Sequence, residues 1–114
     1  MRKLILPIIL FAISAALNAQ ASLTVVPSYI VPGVQCAIIV HDPAAAGEIV
    51  TVRVYDLIGG QPGPFENLLV QLDENGDGLV IWDGDVIGWN SLIATFRYID
   101  KEGGFHYEHR PIVP

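Results

Sequence analysis

A two-residue alternation of apolar and polar side chains is the feature that most constrains this chain. Between residues 49 and 56, Val50, Val52 and Val54 alternate with side chains that are polar or amphipathic. This period places the three valines on one face of a β-strand, because successive strand side chains point to opposite faces. No segment after residue 21 shows the period of an amphipathic helix, so the pattern predicts an all-β chain.

Short runs rich in β-branched and aromatic residues recur along the sequence, and Gly, Pro, Asn and Asp separate them. They predict strands at residues 23–26, 34–41, 49–56, 68–72, 79–82, 91–100 and 105–110. Residues 59–64 contain so many Gly and Pro residues that no regular structure is expected there. Turns at residues 75–78 and 102–104 are expected to close two hairpins, each between the strands that flank them.

About seven short strands without a helix predict an Ig-like antiparallel β-sandwich. The alternation assigns one set of side chains to the space between the two sheets. This predicted core consists of Cys36, Val50, Val52, Val54, Leu92, Ala94, Phe96 and Tyr98.

The first 21 residues have the pattern of a signal peptide. Arg2 and Lys3 precede an apolar run at residues 4–17, and small residues follow. The run is shorter than the roughly 20 residues that span a bilayer. We expect cleavage after Ala19 or Ala21, a domain at residues 22–114, no integral membrane segment after cleavage, and a secreted, periplasmic or cell-surface location.

Removal of the leader leaves four Lys and Arg residues against twelve acidic ones, which is a net charge of −8. Such a surface repels phosphate, so nucleic acid is not expected as a partner.

Cys36 is the single cysteine, which excludes a disulfide within the chain. Its inward position and the lack of a histidine at a recognisable spacing argue against a nucleophile, and no serine motif is present. The chain is therefore predicted not to be an enzyme.

Two stretches resemble a known family. The first stretch is residues 52–60, Val-Arg-Val-Tyr-Asp-Leu-Ile-Gly-Gly, and the second is residues 81–88, Ile-Trp-Asp-Gly-Asp-Val-Ile-Gly. Both are similar to the Ig-like module of flagellar hook-capping proteins and to C-terminal domains of type IX secretion cargo. Residues 94–98 follow the second stretch at the distance expected for this family. The resemblance implies an Ig-like fold in an exported bacterial protein, here as a stand-alone domain. In the second stretch, Trp82 is expected to close one end of the sandwich with its N–H on a loop carbonyl.

Asp73, Asn75 and Asp77 form the D-x-N-x-D-G pattern that opens a calcium loop, in which oxygen ligands at alternate positions converge on the cation. The twelfth position of such a loop is Gly84, which supplies no carboxylate. The alternative is a turn whose Asn-Gly and Asp-Gly pairs serve the backbone geometry. No other cofactor is indicated.

These observations predict a secreted, non-catalytic structural or protein-binding module of the bacterial envelope or cell surface. The short, uncharged first strand is a possible edge for a partner strand or for self-association, and the end loops offer a second surface. A calcium-stabilised accessory domain is the alternative function.

Overall fold

The computed structural model describes residues 20–58, 61–90 and 92–113. Residues 1–19, and with them nearly all of the predicted signal peptide, lie outside the described residues. No helix in the described part of the chain is long and apolar enough to cross a membrane.

Seven strands and one 3-10 helix make up the described structure. In chain order they are β1 (Ser22–Val26), β2 (Cys36–His41), a 3-10 helix (Pro43–Ala45), β3 (Ile49–Ile58), β4 (Gln61–Gln71), β5 (Asp77–Trp82), β6 (Ile93–Ile99) and β7 (Phe105–Pro111). One sheet has the order β1-β2-β5, and the other has the order β4-β3-β6-β7. All strand pairs within the two sheets are antiparallel. The predicted antiparallel β-sandwich of about seven strands is thus confirmed.

The core lies between the two sheets and follows the alternation of the sequence. Val52, Val54, Ala94 and Phe96 are fully buried, and Cys36, Ile38 and Val40 face them from the other sheet as part of the same cluster. The prediction of Leu92 as a core residue is wrong, because its side chain is 77% exposed. Leu92 precedes β6, where the strand period no longer dictates the direction of a side chain.

The prediction that residues 59–64 lack regular structure is wrong for residues 61–64. β4 begins at Gln61 and runs through Pro62 and Pro64. It is an edge strand that pairs only with β3. A proline is tolerated in an edge strand because the backbone on the open side needs no N–H donor.

The predicted hairpin between the fourth and fifth strands is also wrong. β5 pairs with β2 in the other sheet, with Ile38 opposite Val80. The turn after β4 therefore carries the chain from one sheet to the other. Gly76 makes this passage possible: its φ is +82°, and a Cβ there would lie 2.5 Å from the Asp42 carbonyl oxygen. The last hairpin, between β6 and β7, is confirmed.

Candidate binding face of the four-stranded sheet

The predicted calcium residues lie in the turn between β4 and β5. Asp73 Oδ1 accepts the backbone N–H groups of Asn75 at 2.8 Å and of Asp77 at 2.9 Å, and these bonds lower the pKa of Asp73. Asp77 Oδ1 lies 2.5 Å from His41 Nδ1. The described residues contain no group of three or more His, Cys, Asp and Glu side chains that could hold a metal ion. Calcium binding at this turn stays a prediction.

Trp82 is the last residue of β5 and belongs to the second stretch that resembles a known family. It stacks on Trp89 and meets Phe96 edge-on, with centroid distances of 5.9 and 5.6 Å. Its Nε1 is buried without a hydrogen-bond acceptor in the described structure, so the expected bond to a loop carbonyl is not formed. Asp83 Oδ1 accepts the N–H of Asp85, so this turn is closed by its own side chain.

The first strand is an edge strand, as expected, but its edge is partly covered. The Arg110 guanidinium on β7 donates from Nε and Nη2 to the Val25 carbonyl oxygen, at 3.2 and 3.1 Å. The same guanidinium pairs with Glu108 at 2.9 Å. A partner strand that pairs with β1 at Val25 would have to displace Arg110.

The outer face of the four-stranded sheet, opposite the core, exposes many large apolar side chains. Six of them are between 43% and 66% exposed: Phe65, Leu69, Ile93, Ile99, Phe105 and Tyr107. They belong to three different strands, and alternation and register place them all on the side that faces away from the other sheet. Among them, Ile99 lies opposite Phe105, and the Phe105 ring stacks on Tyr107. Contiguous exposed apolar patches are a feature of surfaces that bind a partner.

This outer face carries positive charge and, among the described residues, no acidic side chain. Its polar members are Thr51, Arg53, Asn67, Gln71, Thr95, Arg97 and His109. The acidic residues lie in the turns, on β5, or on the opposite side of the strands. A chain with twelve acidic residues and four mature basic ones therefore places two of its three mature arginines on a face without carboxylates.

Arg53 and Arg97 lie directly opposite each other on β3 and β6. Arg53 Nε donates to Asn67 Oδ1 at 3.0 Å, and its guanidinium lies over the Phe65 ring, 4.3 Å from the centroid. The Arg97 guanidinium makes neither a hydrogen bond nor an ion pair with any residue of the described structure, whereas its backbone pairs within the sheet. Like charges directly opposite each other on neighbouring strands are destabilising, and no carboxylate of the described residues forms an ion pair with either arginine.

Tyr55 lies beside the two arginines and is nearly covered, with an exposed fraction of 6%. Burial raises the pKa of Tyr55 above its ordinary value of 10, and Tyr107 adds to the rise, while Arg97 and Arg53 act in the opposite direction. Its phenol therefore stays neutral at physiological pH. Tyr55 lies directly opposite Phe65 on β4 and Thr95 on β6.

A hollow of about 450 Å³ adjoins the arginine pair. Pairing between β3 and β6 stops at Val52 and Tyr98, although β3 extends back to Ile49. Arg53, Arg97 and Lys101 line the hollow together with the carboxylates of Glu48 and Asp100. Lys101 is paired with Glu48 at 2.9 Å, so the arginines are the cations of this hollow that have no carboxylate partner among the described residues.

The alternation of β3 predicts outward positions for Arg53 and Tyr55, but no local motif marks this face as a site. Its signal is present in the sequence: the outward positions of β3, β6 and β7 contain no Asp or Glu in an otherwise acidic chain. The two arginines are brought together only by the register of the strands, in which Arg53 lies directly opposite Arg97.

Comparison of the chain with protein-family models, with curated proteins and with solved structures finds no match.

Proposed function

We propose that this protein is an exported, non-catalytic module of the bacterial envelope or cell surface that binds a protein partner through the outer face of the four-stranded sheet. The observation that carries this proposal is the set of exposed Phe, Tyr, Ile and Leu side chains around two arginines on one acid-free surface. Aromatic residues and arginine are enriched in protein interfaces and supply most of their hot spots. The resemblance to the flagellar hook-capping module supports only the part of the proposal that concerns export from a bacterial cell.

The outer face of the three-stranded sheet is a weaker candidate. It also exposes apolar side chains, among them Val26, Leu79 and Ile81. Its charged groups are already paired, because His41 bonds to Asp77, and its described positions contain no Phe, Tyr or Trp side chain. The four-stranded sheet therefore offers the more specific set of anchors.

The non-catalytic part of the proposal is supported by Cys36, the single thiol of the chain. Its side chain is 4% exposed and belongs to the core. Burial and, to a smaller extent, Asp83 raise its pKa. A buried thiol with a raised pKa is a poor nucleophile.

Photo-crosslinking tests the binding face. A photoreactive phenylalanine analogue replaces Phe105 on the four-stranded sheet or, as a matched control, Leu79 on the three-stranded sheet; both side chains are 57% exposed. Each variant is irradiated in envelope extract of the host. We expect a protein adduct, with another protein or with a second copy, at Phe105 only. Absence of an adduct at Phe105, or equal adducts at both positions, would overturn the proposal.

Amino-terminal sequencing of the protein from its host tests export. We expect the mature chain to begin at Gln20 or Ser22, after cleavage at Ala19 or Ala21. Retention of Met1 on protein in the cytosol would contradict this part of the proposal.

A further inference from the structure

We propose that Arg53 and Arg97 form a carboxylate clamp that binds Asp or Glu side chains of an acidic, partly apolar protein segment. This inference deepens the proposed function and rests on it, since it names the chemistry that the partner presents to the outer face of the four-stranded sheet.

The side chains of Arg53 and Arg97 are neighbours on the adjacent strands β3 and β6. Residues directly opposite on antiparallel strands have Cβ atoms about 4.5–5.5 Å apart. One N–H of Arg53 is bound to Asn67, and the stacking on Phe65 fixes the plane of its guanidinium. The other guanidinium N–H groups of Arg53 and all guanidinium N–H groups of Arg97 have no acceptor within the described structure. Two neighbouring guanidinium groups can therefore hold one or two carboxylates through paired N–H bonds.

The adjacency of two guanidinium groups has an electrostatic cost in the free protein. The two arginines repel each other in the free protein, and neither forms an ion pair with a carboxylate of the described residues. Glu48 and Asp100 line the same hollow, but they are paired with Lys101 and His106. An external carboxylate placed between them removes this repulsion and gains two charge-assisted hydrogen bonds. The electrostatic free energy of the two arginines is therefore lower when a carboxylate is bound than when the face is free. For this reason the face selects its partner by charge.

The apolar side chains around the two arginines indicate the class of partner. Phe65 and Tyr107 flank the arginines on the neighbouring strands, and Phe105 and Ile99 form the next row. A ligand that fills this face must alternate isolated carboxylates with apolar groups. Dense polyanions fit less well, since the net charge of −8 on the mature chain repels them at longer range. A second copy that docks through the same face is disfavoured, because it would set arginine against arginine.

A ligand-independent measurement tests the repulsion. Arg97→Gln removes one member of the pair and leaves the stacking of Arg53 on Phe65. We expect its melting temperature at low salt to equal or exceed that of the wild type, and the difference to shrink at high salt. A clear loss of stability at low salt would show that Arg97 has a structural partner and would overturn the clamp.

Calorimetry with defined probes tests the binding. The probe is a soluble peptide in which two Glu residues are flanked by Leu and Tyr, and the matched peptide has Gln in place of both Glu residues. We expect the Glu peptide to bind at least about tenfold more tightly than the Gln peptide. The double variant Arg53→Gln, Arg97→Gln should lose this preference, whereas Arg110→Gln, a cation of the opposite side, should keep it. Equal binding of both peptides would overturn the clamp.

Two further probes separate sources of anionic groups. Polygalacturonate carries carboxylates on sugars, and inorganic phosphate carries no carboxylate. Tighter Arg-dependent binding of either one than of the Glu peptide would overturn the assignment to a protein segment. Replacement of both arginines by lysine keeps the charge but removes the planar donor geometry, and we expect it to weaken peptide binding.

The outcomes distinguish this inference from the proposed function. If the adduct at Phe105 survives the double arginine variant, the binding face stands and the clamp is wrong. If the Glu peptide binds through the arginines but no adduct forms at Phe105, the clamp stands and the proposed function is wrong.

Discussion

The Tyr98 hydroxyl donates a hydrogen bond to Asp42 Oδ2 at 2.5 Å, and both side chains are almost completely buried. The same carboxyl oxygen accepts the backbone N–H of Lys101 at 3.0 Å, and the N–H of Asp42 donates to the Gly76 carbonyl at 2.8 Å. Asp42 therefore connects three loops at one end of the sandwich. Burial and the nearby Asp42 also raise the pKa of Tyr98, so its hydroxyl remains a donor.

Tyr98→Phe should lower the free energy of unfolding by about 1–3 kcal/mol, because it leaves a buried carboxyl oxygen with one donor fewer. Urea denaturation measures the change. Tyr107→Phe is the matched control, since the Tyr107 side chain is half-exposed and its hydroxyl is accessible to water. An equal loss in both variants would contradict the role of the Asp42 bond.

Gly76→Ala should destabilise the fold more than Gly103→Ala. Both glycines have a positive φ, of +82° and +89°, but a Cβ at Gly76 meets the Asp42 carbonyl at 2.5 Å whereas nothing lies within 4 Å at Gly103. Gly103→Ala isolates the conformational cost, about 1–2 kcal/mol. Gly76→Ala adds the clash to it. Thermal unfolding of the two variants checks the order, and equal stabilities would mean that the passage between the sheets has room to adjust.

Phe96→Ala should cost about 3–5 kcal/mol, because the ring is completely buried and its removal leaves a cavity. The Trp82 ring loses its edge-on neighbour, so tryptophan fluorescence should change as well. Phe105→Ala, which alters a side chain on the outer face of the four-stranded sheet, should leave stability within about 0.5 kcal/mol. A large loss in the second variant would place Phe105 in the core rather than on a binding face.

Stability should fall in acid through Asp100. The hydrogen bond from His106, at 2.8 Å, and the N–H of Gly104 hold the pKa of Asp100 below its ordinary value of 3.8. The unfolded chain then takes up a proton at higher pH than the folded one. The contribution of Asp100 is complete above the unfolded pKa and is lost as the pH falls through the folded pKa.

Asp100→Asn should accordingly flatten the decline of stability between about pH 5 and pH 2. Glu102→Gln, a neutralisation in the same turn, controls for net charge. Denaturant titrations at several pH values give the two slopes. An unchanged slope in Asp100→Asn would assign the acid sensitivity to other carboxylates.

Millimolar calcium should leave the melting temperature unchanged. Asp73 Oδ1 is bound by two backbone N–H groups, and Asp77 Oδ1 is bound by His41. A cation would have to compete with these bonds for the oxygens. A rise in melting temperature with calcium that Asp77→Asn removes would instead establish the calcium-stabilised domain.

How far the sequence determines this fold is clearest at β3. Its alternation of valines predicts the strand, the buried face and the outward position of Arg53, and all three are found. The same local rule predicts β6, β7 and the hairpin between them. Period and turn residues are properties of neighbouring positions, so they can be read without knowledge of the remaining chain.

The pairing of distant strands is decided by tertiary structure alone. β5 leaves β4 and joins β2, and β4 extends through Pro62 and Pro64 because it is an edge strand. The opposition of Arg53 and Arg97 likewise exists only in the register of β3 with β6. Alternation fixes which way a side chain points, but it carries no information on which strand lies beside it, because that choice depends on the packing of the two sheets as a whole.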